Sequence, residues 1–115
     1  MLADSARYLG RHALAEQSLL ALRGRSPSDA ASAAFLLARL EEGRDPRKAL
    51  SWYEKSLAEA PSGAYAAEAV AGKMRALLQT GGAAAAAPAA EQYLRRFPSG
   101  VYAAKARDVL SRVAR

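Results

Sequence analysis

The fold of this chain is decided by a stretch that occurs twice: residues 61–69 read PSGAYAAEA, and residues 98–106 read PSGVYAAKA. A fainter copy begins at Pro27, so the three copies start 34 and 37 residues apart. Self-similarity at such a period is typical of arrays of helical hairpins, in which each repeat buries its apolar face against its neighbours. The repeat therefore predicts a stacked, all-α architecture.

The composition indicates a single helical domain. A chain of 115 residues can bury one modest core. Alanine, the strongest helix former, is the commonest residue, and isoleucine is absent. We expect one domain over residues 1–115, and the pattern also fits the carboxyl-terminal part of a longer protein.

Turn and cap residues divide the chain into six predicted helices. Glycine and proline mark most of the boundaries, and Asp29 and Asp45 are the predicted N-caps of the second and third helices. Pro88 has to lie in the first turn of its helix, because an interior proline would kink it. The predicted helices cover about residues 4–22, 29–42, 46–60 and 64–79, a fifth that starts between Ala84 and Ala87 and runs to Phe97, and a last one opened by Gly100.

The residue inventory argues against catalysis and against a metal or cofactor. The chain has one histidine and one threonine and lacks cysteine and asparagine, so the usual sets of nucleophile, base and orienting group cannot be assembled. His12 is expected at the surface or half-buried in its helix, and the paired acids Glu41 and Glu42 are expected in solvent at a helix end. We therefore expect a protein that is not an enzyme and needs no cofactor.

Charge and hydropathy indicate which partners to expect. The net charge of +6 favours acidic protein surfaces, anionic lipid or nucleic acid. No apolar run approaches the roughly 20 residues of a membrane span, and the first residues lack a secretory signal pattern. Six basic residues near the carboxyl end have no aromatic platform alternating with them, so a solvated helical cap is favoured over nucleic-acid binding. They are Arg95, Arg96, Lys105, Arg107, Arg112 and Arg115.

The second helix of each hairpin resembles that of the tetratricopeptide repeat. In that family a small residue is followed four positions later by a bulky one, then after three by a small or apolar one and after five more by proline. Two segments fit, and a third keeps the spacing with a small residue at the bulky position: Ala49-Tyr53-Ser56-Pro61, Ala15-Leu19-Leu22-Pro27 and Ala86-Ala90-Tyr93-Pro98. The resemblance implies a right-handed α-solenoid of about six antiparallel helices, arranged as about three hairpins.

A narrower resemblance covers residues 93–106, which read YLRRFPSGVYAAKA. This segment is similar to repeats of bacterial cell-envelope proteins, including the periplasmic Tol-Pal-associated coordinator and outer-membrane assembly lipoproteins. The resemblance implies a non-catalytic binding scaffold in the bacterial periplasm or cell envelope. A cytoplasmic location is the alternative.

A concave groove lined by the first helices of the hairpins is the predicted partner site, since helical repeats bind ligands on such surfaces. Small residues leave room there, and tyrosine and arginine are enriched in binding hot spots. The candidate residues are Tyr65, Glu68, Gly72, Arg75 and Gln79 on the fourth helix and Ala34, Ala38 and Glu41 on the second. The expected partner is an acidic or amphipathic segment of another protein. In the alternative interpretation, Tyr65 and Tyr102 only pack between helices.

Self-association is a further expectation for the amino end. The first helix has no preceding helix to cover it, so its apolar side could bind a second copy of the chain.

Overall fold

The computed structural model describes residues 2–114, with side chains from residue 10 onward, and consists of helices joined by short turns. The helices are α1 (Leu2–Leu22), α2 (Pro27–Glu41), α3 (Pro46–Glu59), α4 (Ala66–Arg96) and α5 (Ala103–Val113). The described residues contain no strand, which confirms the all-α prediction. None of the described helices combines the length and apolar character that a bilayer crossing requires.

Side-chain caps begin α2 and α3. The Asp45 carboxylate accepts a hydrogen bond from the Lys48 N–H at 3.2 Å and Pro46 follows it, as predicted. The N-cap of α2 lies three residues earlier than predicted, because Ser26 takes this role in place of Asp29 and accepts from the Asp29 N–H at 3.1 Å. Pro27 therefore opens α2, since its fixed φ suits a first helical position and its missing N–H costs nothing there.

Helix α4 comprises two helical stretches, residues 66–81 and 83–96, that meet at a kink close to the predicted boundary between the fourth and fifth helices. The residue at the kink is Gly82, which is non-helical at φ 80° and ψ −172°. Only glycine adopts that region without strain. The interruption therefore precedes Pro88 by six residues, and Pro88 lies inside the helix instead of in its first turn.

The repeated stretch forms the same turn twice. The Gly63 N–H donates to the Ala60 carbonyl at 3.1 Å, and 37 residues later the Gly100 N–H donates to the Phe97 carbonyl at 2.9 Å. The following helices begin at equivalent residues, with Tyr65 and Tyr102 as N-caps. Gly63 and Gly100 thus lie inside the turns, and the last helix begins at Ala103, three residues after the Gly100 that the sequence predicts to open it.

The 37-residue repeat is also a repeat of buried positions. The buried positions of α3 recur 37 residues later in the last part of α4, and the buried positions at the start of α4 recur in α5. The equivalent buried pairs are Ala49 and Ala86, Tyr53 and Ala90, Ser56 and Tyr93, Ala66 and Ala103, Ala69 and Ala106, and Gly72 and Val109.

Each helix packs on its neighbour in the chain, and α2 also touches α4. The core has two apolar clusters, each with a fully buried tyrosine. Tyr53 packs with residues of α2, α3 and α4, and Tyr93 with residues of α4 and α5. Helix α2 is thereby covered by three other helices, whereas α1 rests on α2 alone among the described contacts.

Candidate functional site

The three predicted groove residues of α2 are buried. Ala34 and Ala38 have no exposed surface, and Glu41 keeps only 4% of its surface in solvent. The physical reason is the central place of α2, which packs against α1, α3 and α4. Ala34 and Ala38 therefore do not line an open surface from which a partner could be contacted.

Four of the five predicted residues on α4 and at its cap retain access to solvent. Tyr65, Glu68 and Gln79 are exposed and Arg75 is half-buried. Gly72 is buried against the ring of Tyr53, so close that a Cβ built on it would lie 2.5 Å from Tyr53 Cε1. The glycine thus serves close packing of α4 on α3, not room for a ligand.

The two repeated tyrosines pack against aromatic neighbours. The Tyr65 ring stacks on Phe35 with centroids 4.5 Å apart and planes at 6°, yet 38% of the residue remains exposed. The Tyr102 ring meets Tyr93 edge-on at 6.1 Å. These contacts agree with the packing interpretation, in which aromatic pairs add modestly to burial.

Glu42 connects three helices through charged hydrogen bonds. Its Oε1 accepts from Tyr53 Oη at 2.7 Å and from Arg75 Nη2 at 2.8 Å, and the Arg75 guanidinium lies 5.2 Å from the centre of the Tyr102 ring. The sequence-based expectation of a solvated Glu42 is therefore wrong. Arg75 is tied to the chain's own residues at the end of the predicted groove.

The environment of this cluster shifts the pKa values of Glu42 and Tyr53 among its members. Burial alone would raise the pKa of Glu42, but the hydrogen bonds from Tyr53 and Arg75 and the charge of Arg75 outweigh it, so the pKa is lowered. Burial, with the hydrogen bond to Glu42, raises the pKa of Tyr53. Glu42 therefore stays ionised and Tyr53 stays neutral throughout the physiological range.

An open apolar cleft lies between α1 and α2. It encloses about 520 Å³ and is lined by Ala15, Ser18, Leu19, Leu36, Arg39 and Leu40. Leu36 is 38% exposed at its wall, and Leu14 on α1 is 66% exposed. We call this feature the leucine cleft. The sequence predicts an apolar side on the first helix, but only the packing of α1 across α2 forms a cleft from it.

A polar cleft lies near the carboxyl end of α2. It encloses about 460 Å³ and is lined by His12, Ala13, Glu16, Glu41, Arg44, Asp45 and Lys48. His12 Nε2 lies 3.3 Å from Glu41 Oε1, and one oxygen of Glu16 completes a group whose ligand atoms lie within 4.8 Å of one another. We call this feature the histidine cleft. The expectation of a solvated Glu41 is wrong, because α1 covers its carboxylate.

Sequence reasoning missed the histidine cleft. Its one sequence signal is the spacing of four residues between His12 and Glu16, which places both on one helix face. Glu41 belongs to another helix and joins them only through the tertiary packing.

The basic residues near the carboxyl end are exposed, but several bind groups of the chain itself. Arg96 donates to the Pro61 carbonyl at 2.6 Å, Arg107 to the Pro98 carbonyl at 3.0 Å, and Arg112 pairs with Asp108 at 2.9 Å. Arg115 lies outside the described residues. Arg96 and Arg107 therefore tie helices to turns, and Arg112 pairs within its own helix.

Comparison with protein families, with characterised proteins and with solved structures finds no match for the chain in any of the three.

Proposed function

We propose that this chain is a non-catalytic protein-binding module, built as a right-handed solenoid of tetratricopeptide-type hairpins. Support comes from the repeated turn and the repeated buried positions, because segments 37 residues apart bury equivalent residues. The radius of gyration is 15.4 Å, against about 13 Å for a compact domain of this length. A somewhat extended shape is what stacked repeats produce.

The leucine cleft is the observation that carries the proposal. Apolar patches of more than a few hundred Å², rimmed by polar residues, mark interaction sites on monomeric proteins, and the leucine cleft is a smaller apolar surface of this kind that two helices form together. Leu19, Leu36 and Leu40 converge there from two helices, whereas the predicted groove is partly closed by packing. The exposed α4 side chains, Tyr65, Glu68 and Gln79, are a secondary contact surface in this proposal.

The partner that fits the leucine cleft is an amphipathic helix with acidic side chains along one edge. An apolar stripe would fill the cleft, as in other helix-in-groove complexes. Arg39 lines the cleft and is exposed, and the whole chain carries a net charge of +6. That positive field would accelerate encounter with an acidic partner.

The test compares two substitutions of an exposed apolar residue by glutamate. Leu36→Glu places a charge in the cleft, and Val101→Glu places the same charge in the turn before α5, where Val101 is 90% exposed. Partners captured from cell extract with the wild type are then titrated in purified form against each variant. Loss of a buried leucine contact costs about 1.5–3 kcal/mol, or about tenfold to a hundredfold in affinity.

We expect Leu36→Glu to weaken binding by that factor and Val101→Glu to leave it unchanged. Equal affinities for the three proteins would exclude the leucine cleft. Weakening by Arg75→Glu or Tyr65→Ala, with Leu36→Glu unaffected, would instead assign the partner to the predicted groove.

Self-association is a second candidate, favoured by the exposure of Leu14 and Leu20 on α1. Sedimentation equilibrium decides it. A mass that rises with concentration in the wild type and not in Leu36→Glu would make a second copy of the chain the occupant of the cleft. A concentration-independent monomer would remove this candidate.

Nucleic-acid binding through the basic residues is the alternative to this proposal, and a location in the bacterial envelope is a lesser part of it. The former predicts affinity for DNA or RNA that falls steeply with salt, and no affinity at low salt would dismiss it. The latter rests on the resemblance of residues 93–106 alone. Fractionation of the native cells tests it, with a cytoplasmic protein as the contrary result.

A further inference from the structure

We propose that His12, Glu16 and Glu41 form a binding site for a divalent transition-metal ion, for which Zn²⁺ is the best match. The site lies in the histidine cleft, which shares no lining residue with the leucine cleft. The metal proposal can therefore be tested independently of the proposed function.

The first argument is an unsatisfied nitrogen. His12 Nε2 is buried without a hydrogen-bond partner, and only 10% of the side chain is exposed. It lies 3.3 Å from Glu41 Oε1, within ion-pair distance, but the contact lacks hydrogen-bond geometry. In neutral histidine with Nε2 unprotonated, this nitrogen and the carboxylate oxygen face each other with lone pairs. A cation bound between them satisfies both atoms.

The second argument is the distance between these atoms. Zinc binds histidine nitrogen at about 2.0–2.1 Å and carboxylate oxygen at about 2.0–2.2 Å. Two such ligands in a tetrahedron lie about 3.3–3.5 Å apart. The observed separation of 3.3 Å between His12 Nε2 and Glu41 Oε1 equals one edge of that tetrahedron.

Glu16 supplies the third ligand. It is one helical turn after His12 on the same face of α1, and its ligand oxygen lies within 4.8 Å of the other two atoms. The side chain is half-buried at the cleft, and its oxygen has to move closer to the other two atoms to complete a zinc site. Three protein ligands leave a fourth position for water.

The donor set and the charges select the class of ion. Imidazole nitrogen favours zinc and other late transition metals over Mg²⁺ and Ca²⁺, which prefer oxygen ligands alone. The cleft contains three carboxylates, those of Glu16, Glu41 and Asp45, and two exposed cations, Arg44 and Lys48. The carboxylates outnumber the cations by one, so their sum favours a bound cation.

The competing explanation is a plain ion pair between protonated His12 and Glu41. The experiment titrates ZnCl₂ into the chain by calorimetry in a buffer without chelator. Four proteins are compared: the wild type, His12→Gln, Glu16→Gln and the control Glu54→Gln, in which an exposed carboxylate of α3 is removed. Circular dichroism checks that each variant is folded. If His12→Gln is unfolded, Zn²⁺ binding by Glu16→Gln tests the site instead, because Glu16 is only half-buried and its substitution disturbs the packing less.

We expect one Zn²⁺ per chain in the wild type and in Glu54→Gln. The affinity for Zn²⁺ should fall at least about tenfold in His12→Gln and in Glu16→Gln. Replacing a residue that only hydrogen-bonds to a metal ligand already costs about that much. Zn²⁺ should also raise the melting temperature of the wild type and not of Glu16→Gln. No binding by the wild type, or binding that Glu16→Gln leaves unchanged, would overturn the site and leave His12 and Glu41 as an ion pair.

Discussion

Replacing Gly72 by alanine tests the close packing of α4 on α3. The added Cβ would lie 2.5 Å from Cε1 and 2.6 Å from Cε2 of Tyr53. The ring cannot readily move aside, because Tyr53 is fully buried and its hydroxyl is held by Glu42 at 2.7 Å. Alanine in place of glycine gains about 1 kcal/mol of helix propensity, while overpacking of this kind costs typically about 1–3 kcal/mol. These distances are so short that we place the overpacking cost at the upper end of this range.

We therefore expect Gly72→Ala to lose about 1–2 kcal/mol of unfolding free energy. For a chain of this length the melting temperature should fall by about 4–8 °C. Thermal unfolding followed by circular dichroism measures the shift, and a urea titration gives the free energy directly.

Gly10→Ala is the matched control. Gly10 is also inside a helix, but a Cβ on it would meet nothing within 4 Å. The same substitution should raise stability there, by up to about 1 kcal/mol. A Gly72→Ala protein as stable as the wild type or more so would refute the packing of α4 on Tyr53.

Two further predictions concern the Glu42 cluster and the interruption of α4. Because the pKa of Glu42 is lowered in the folded chain, its contribution to stability is complete above its ordinary value of 4.5 and is lost as the pH falls through the lower folded value. Urea titrations at pH 6 and pH 3 should show a smaller acid-induced loss in Glu42→Gln than in the wild type, and an equal loss would contradict the assignment. Gly82→Ala should lower the melting temperature, because alanine at φ 80° costs about 1–3 kcal/mol. A higher melting temperature would mean that α4 runs straight through this residue.

Much of the fold could be predicted from local patterns. The all-α class and the start of α3 at Asp45 and Pro46 agree with the structure, because helix propensity and capping depend on residues close in sequence. The errors lie where two local signals compete. Proline is found both after the end of a helix and at the first position of the next one, so Pro27 fits either place. In the structure it is the first residue of α2, because Ser26 caps that helix.

The candidate sites were less predictable than the helices. Periodicity placed Ala34, Ala38 and Glu41 on one side of α2, but it cannot tell which sides of a helix its neighbours will cover. The predicted groove residues on α4 and at its cap keep access to solvent except Gly72, where the ring of Tyr53 from α3 fills the space.

The amino-acid sequence by itself determined that this chain is helical and that its turn recurs after 37 residues, since both depend on short-range spacing of alanine, glycine and proline. Only the tertiary structure decided which surfaces remain open. Helix α1 lies across α2, and this one packing arrangement forms the leucine cleft, covers Glu41 and brings it to His12. Contacts between residues 29 positions apart depend on how two helices cross, and no local pattern in the chain specifies that crossing.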